Sequence, residues 1–129
     1  MGTTIIVGGT KGIGKSIAKY FHTQKKSTIT ISRSKINSTL AHYSIDLNAL
    51  KTIKHNIQRV IDEHGLVENL IFAQKYRGTP GEHESTFNIS LKATEIIIEE
   101  LKFNFCKDRF PSIVVLGSPA GKFIVGEQQ

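Results

Sequence analysis

Between residues 8 and 16 the chain reads Gly8-Gly9-Thr10-Lys11-Gly12-Ile13-Gly14-Lys15-Ser16. Glycine at this density lets a backbone close around a phosphate group. The apolar run Thr3-Thr4-Ile5-Ile6-Val7 precedes it and a helical pattern follows. The glycines therefore join a strand to a helix N-terminus, where unpaired amides and the helix dipole favour an anion. Two phosphate motifs overlap here. Gly9-x-x-x-x-Gly14-Lys15-Ser16 satisfies GxxxxGK[ST], in which the lysine reaches the β/γ-phosphates of a nucleoside triphosphate and the serine holds magnesium. Gly8-x-x-x-Gly12-x-Gly14 is instead a variant of the dinucleotide-binding loop GxGxxG.

Residues further along weigh between the two. A triphosphate hydrolase needs an acidic magnesium ligand at the end of another apolar strand. The strands ending at Ala73 and Leu116 are followed by Gln74 and Gly117, which leaves only Asp46, after a poorly apolar strand. A dinucleotide site needs a specificity residue at the end of the second strand, roughly 20 positions past the glycines. Ser32-Arg33-Ser34 stands there. An acid would bind the ribose hydroxyl of NAD, whereas Arg33 can fork onto a 2′-phosphate, with Lys11 assisting. Charge agrees: residues 1–45 hold seven Lys/Arg and no Asp or Glu, against ten basic and eleven acidic side chains in residues 46–129. An anionic partner for the first third is expected, and NADP(H) is the nearest explanation. ATP with magnesium, and nucleic acid, rank behind it.

The elements that must position these residues follow from period and breakers. The helix after the glycines carries Ile13, Ile17, Tyr20 and Phe21 at helical spacing up to Gln24-Lys25-Lys26. Ser27 to Ser32 reads as a second strand and Ala41 to Ile45 as a short third. Ile53, Ile57, Val60, Ile61 and His64 mark a second helical face, stopped by Gly65. Asn69 to Ala73 is a fourth strand, and Arg77 to Gly81 a loop. Phe87, Leu91, Thr94, Ile98, Leu101 and Phe105 predict a helix over about residues 84–107, and Ser112 to Leu116 a fifth strand. Strands that alternate with helices and are apolar on both faces predict an α/β fold: a doubly wound, Rossmann-like parallel sheet of five strands with flanking helices.

A length of 129 residues accommodates one domain over 1–129 and is short for two. The single cysteine, Cys106, excludes an internal disulfide framework, no Cys/His spacing suggests zinc, and a reducing cytosol fits. No apolar run is long enough for a membrane span or a signal peptide.

Taken together, the chain resembles the short-chain dehydrogenase/reductase family from the strand before Gly8 to its last residue. The stretch Gly8 to Gly14 is close to the family's loop, although Val7 stands where threonine is usual. Asp46-Leu47 looks like the pair that contacts adenine, and the same spacing also suits Asp46 as the cap of the following helix. The cofactor-binding set on this resemblance is Gly8, Thr10, Lys11, Gly12, Ile13, Gly14, Ser32, Arg33, Asp46, Leu47, Ala73 and Gln74. Ala73-Gln74-Lys75-Tyr76 departs from the family's Asn-Asn-Ala-Gly, which puts its asparagine bracing in doubt. Asn88 matches the helix asparagine that holds a catalytic water, and Ser118 the serine that positions the substrate oxygen.

The resemblance implies NADP(H)-dependent hydride transfer between the nicotinamide and a carbonyl or alcohol substrate. In the family a tyrosine about a dozen residues after the serine acts as general acid/base, with a lysine four positions later. None of Tyr20, Tyr43 and Tyr76 has that lysine, so this chain alone is expected to be inactive and to stop short of a complete site. The family also implies homo-oligomers at full length, and for this chain an exposed apolar surface that favours association. A dinucleotide-binding module without turnover is the alternative from another class.

Overall fold

The protein is described here by a computed structural model covering residues 2–9, 12–33, 40–47, 49–73, 83–107 and 111–116, the side chains of residues 83–90 excepted. Its elements are β1 (Thr3–Val7), α1 (Gly12–Thr23), β2 (Ser27–Ser32), β3 (Ala41–Ser44), α2 (Leu50–His64), β4 (Val67–Phe72), α3 (His83–Leu101) and β5 (Ser112–Val115). The five strands form one parallel sheet in the order β3-β2-β1-β4-β5. This is the doubly wound arrangement that the alternation of strands and helices predicts. From β1 the chain winds outward through β2 to β3, then returns across β1 to β4 and β5. Crossovers of one hand that run in opposite directions place their helices on opposite faces, which is why, among the described residues, α1 lies on one face and α2 packs with α3 on the other.

The two faces are unequal. On the α2/α3 side, Ile5, Val7, Ile29, Ile31, Leu70 and Phe72 meet Ile53, Ile57 and Val60 of α2 and Ala93, Ile97 and Leu101 of α3 in one continuous core. On the α1 side the buried core is Ile6, Ala18 and Ile71, with Ile17, Phe21, Leu40 and Ala73 packed against it. The strands are therefore not apolar on both faces, as their composition suggested. On the α1 side Thr4 accepts a hydrogen bond from Asn69 Nδ2 at 3.0 Å, and Thr30 Oγ1 lies 2.8 Å from His42 Nδ1. A row of cross-strand bonds supplies there what methyl groups supply opposite.

Both outer helical faces differ from the periodic reading. In α1 the buried residues are Gly14 and Ala18, while Ile13 and Tyr20 are 61% and 59% exposed. The helix lies too close to the sheet for large side chains on its innermost line, so its apolar residues flank that line. In α3 the buried line is Ala93, Ile97 and Leu101, and Leu91 is exposed. That helix ends at Leu101, and Phe105 lies beyond it in a single bridge to Val67, because Asn104 and Cys106 exchange backbone bonds with Val67 at the start of β4. β4 begins at Val67, two residues before the predicted start. Gly65 closes α2 at φ +77, its N–H donating to Ile61 O.

Tyr43 ties β3 to α2. Its ring is buried edge-on to His64 with the Arg59 guanidinium 5.8 Å from its centroid, and its hydroxyl donates to Glu63. Burial, then the hydrogen bond and charge of Glu63, push its pKa up to about 12 against an opposing contribution from Arg59. Because the folded value lies above the unfolded one, this stabilisation is complete below pH 10 and is lost as pH rises towards 12. Wild type should lose about 1 kcal/mol more than Tyr43→Phe across that window, solvent screening at the hydroxyl reducing the effect, as read from urea unfolding at each pH.

β5 is the other outer strand, and Ile113, Val114 and Val115 are 47%, 40% and 62% exposed. An apolar edge of this kind invites pairing with another chain. Sedimentation of this chain should show concentration-dependent association that Val114→Lys reduces; a single monomer at all concentrations would contradict it.

Candidate functional site

Because the sheet is parallel, every strand ends on the same edge. Val7 pairs with Ile31 and Phe72, Ser32 with Ser44, and Phe72 with Val115. The segments that leave these strands therefore share one rim. At its centre the winding direction reverses between β1 and β4, the position beside the turn after β1 at which open α/β sheets generally bind their ligands.

That turn is held from both sides. Gly8 N–H donates to Ile31 O at 2.7 Å, and Ala73 N–H donates to Val7 O at 2.8 Å. Gly8 at φ +84 and Gly12 at φ +54 occupy the left-handed region that glycine adopts without strain. Gly14 meets a different requirement. A Cβ on it would stand 2.1 Å from Gly8 O and 3.1 Å from Ala73 Cβ, so α1 rests its first turn directly on the end of β1. No acidic residue occupies the first turn of α1, and the positive end of its dipole is left uncompensated by its own helix. Gly9, which the family resemblance leaves out of the cofactor-binding set, also lies in this turn. It is buried, and a Cβ on it would come within 2.8 Å of Thr30 Cγ2. The Gly8-Gly9 doublet was the available sign of two successive glycine requirements, a left-handed φ at Gly8 and a close approach at Gly9.

Next to this turn, Ser32 ends β2 and Arg33 follows it, exposed, on the same rim. Ser32 O accepts from Ile45 N–H at 2.9 Å, and Arg33 O accepts from Ser44 Oγ at 2.9 Å. After β3, Ile45 is buried, Asp46 is exposed and Leu47 packs against the main core. Asp46 is not the cap of α2. The N-cap residue is Ala49, without a side-chain cap bond, and Asp46 takes part through its carbonyl, which accepts from Ala49 N–H at 3.0 Å.

The rim thus assembles Gly8, Gly12, Gly14 and Ala73 around one turn, with Ser32 and Arg33 on one flank and Asp46 and Leu47 one strand further out. Ile13, the second residue of α1, is exposed to solvent. Asn88 lies on α3, after β4, and its side chain is outside the described residues. Thr10, Lys11, Gln74 and Ser118 also lie outside the described residues. Among the described residues no group of three or more His, Cys, Asp or Glu could hold a metal ion.

The geometry also bears on the two overlapping glycine motifs. α1 begins at Gly12, so Gly14, Lys15 and Ser16 are already helical and only residues 8–11 separate β1 from the helix. A triphosphate loop keeps the residues between Gly9 and Gly14 as open backbone around the phosphates and starts its helix at the Gly-Lys-Ser end, so the helical Gly12 and Ile13 are what departs from it.

No protein-family model matches the sequence, and no curated protein matches it. Solved structures do. The ligand-free aldohexose dehydrogenase of Thermoplasma acidophilum superposes with a TM-score of 0.77 at 20% identity, over 88% of this chain and 48% of that one. A 3-oxoacyl-[acyl-carrier protein] reductase of Brucella melitensis gives 0.76 at 18% identity, over 94% and 58%. A short-chain dehydrogenase/reductase of Serratia marcescens gives 0.74 at 11%, over 94% and 59%. The chain has the fold of these dehydrogenases and reductases and spans about half to three-fifths of their length.

The contact between Gly14 and Gly8 carries its own test. Gly14→Ala should lower the unfolding free energy by about 3 kcal/mol in urea, as overpacking against backbone does. Full stability in that variant would mean that α1 does not rest on the turn.

Proposed function

We propose that this chain is the cofactor-binding portion of an NADP(H)-dependent oxidoreductase of the short-chain dehydrogenase/reductase type. The observation that carries the reading is Arg33 at the end of β2, where a dinucleotide site tells NADP from NAD, beside a glycine turn braced against a helix N-terminus. A dinucleotide suits these residues. Its pyrophosphate would lie against the side-chain-free backbone of Gly8 and Gly12 and the uncompensated dipole of α1. Its 2′-phosphate would meet the Arg33 guanidinium, which presents several donors and always carries charge. Thr10 and Lys11 belong to the same loop, Asp46 and Leu47 would border the adenine, and Ala73 and Gln74 would follow the cofactor along β4.

Hydride chemistry would come from the nicotinamide, and the protein's share is binding, orientation and proton management. Ser118 would hold the oxygen of a small carbonyl or alcohol substrate and Asn88 a water, both on the strength of the family resemblance. In this reading the chain alone binds without turning over, the complete protein is a homo-oligomer, and the compartment is the reducing cytosol. The basic first third is matched to a phosphorylated cofactor rather than to nucleic acid, and no described helix is long and apolar enough to cross a membrane. That α1 begins at Gly12 weighs against the triphosphate alternative.

Calorimetric titration separates these readings. The chain should bind NADPH at least about tenfold more tightly than NADH, and Arg33→Ala should abolish the difference, since a hydrogen-bonded charge pair contributes about 1.5–3 kcal/mol. Binding of ATP with magnesium and none of NADPH would replace the dinucleotide reading with the triphosphate one.

A further inference from the structure

Arg33 matters only if its guanidinium is held where a 2′-phosphate would lie, and the strand that carries it ends one residue earlier, at Ser32. Successive carbonyls of a β-strand point to opposite neighbours. In β2, Ile31 O faces β1, where it accepts from Gly8 N–H, and Ser32 O faces β3, where it accepts from Ile45 N–H. Continued as a strand, Arg33 O would face β1 again. Instead it accepts from Ser44 Oγ of β3 at 2.9 Å. The backbone therefore turns at Arg33, and the Ser44 hydroxyl is a side-chain partner that holds the turned carbonyl. With Ile45 N–H on the preceding carbonyl, β3 fastens two consecutive peptide groups and sets the direction in which the Arg33 side chain leaves the sheet.

We infer that Ser44 is a positioning residue for cofactor discrimination: by fixing the bend at Arg33 it directs the guanidinium to the 2′-phosphate. This rests on the NADP(H) reading above. Alanine at position 44 removes the hydroxyl and leaves the strand pairing through Ile45 in place, so Arg33 remains present and charged but is no longer held. The effect should fall on the extra affinity conferred by the 2′-phosphate and not on adenosine binding in general. Threonine retains the hydroxyl and suits an outer strand.

The test titrates the chain with adenosine 2′,5′-bisphosphate and with 5′-AMP, two probes that differ in the 2′-phosphate and need no nicotinamide pocket. The readout is the ratio of the two affinities, in which general damage to the fold cancels. Wild type should favour the bisphosphate, Ser44→Ala should reduce the ratio about fivefold, the scale of one backbone hydrogen bond, and Ser44→Thr should restore it. A wild-type preference that Ser44→Ala leaves intact, while Arg33→Ala removes it, overturns the role of Ser44 and leaves the cofactor reading standing. Equal affinities in wild type overturn the cofactor reading, and the role of Ser44 with it.

Discussion

Position 14 carries no side chain because there is no room for one: a Cβ there would stand 2.1 Å from the carbonyl oxygen of Gly8. Much else follows from that contact. It brings the first turn of α1 onto the end of β1, where the strand order reverses between β1 and β4. It also fixes how α1 is rotated. With Gly14 on the inner line, Ala18 follows it one turn later, and Ile13 and Tyr20 are carried outward. Crowding continues through Gly9, which leaves no space for a methyl group above Thr30. The turn is thus packed against the sheet at Gly9 and Gly14, while Gly8 and Gly12 contribute backbone without side chains, as an anion-binding turn requires.

The price of so close an approach is paid on the α1 face of the sheet. One helix with small residues inward buries few apolar side chains, and the strands beneath it compensate with hydrogen bonds: Thr4 with Asn69 and Thr30 with His42. The opposite face has two helices and a continuous core from Ile29 to Leu101. Apolar burial, the larger stabilising effect per residue, is concentrated there. The sheet and the α2/α3 layer form the platform, and the α1 layer carries the glycine turn.

Much of this was legible in the residues. The order of elements, the bounds of β1 and β2, the stop at Gly65 and the parallel sheet all follow from β-branched runs, helical period and breakers, because local steric preference and the tertiary fold agree there. What escaped did so for identifiable reasons. Hydrophobic period selects large apolar residues, so it chose Ile13 and Tyr20 for the inside of α1 when the fold needed its smallest residues there. It extended α3 to Phe105 because an apolar residue at helical spacing looks the same whether it continues the helix or bridges to Val67. Asp46 had the residue type of a helix cap, but α2 begins at Leu50 behind Ala49. Among site residues, the glycines and Arg33 stood out by type and spacing. Ser44 did not, since its bond to Arg33 exists only through the register of β2 against β3, which no single sequence displays.

The polar seam beneath α1 has a consequence for motion. A native protein opens first where the fewest apolar contacts must be broken, and local opening spans a wide range of free energies within one fold. Among the described elements the layer of Ile6, Ala18 and Ile71 buries the fewest apolar side chains, so α1 should lift from the sheet at lower free energy than α2 or α3. A molecule bridging the glycine turn and the end of β2 would bind only the closed arrangement and so would stabilise it. The layer with the fewest apolar contacts would then also be the one most strengthened by occupancy, and slowed amide exchange in α1 would report a molecule bound at the glycine turn.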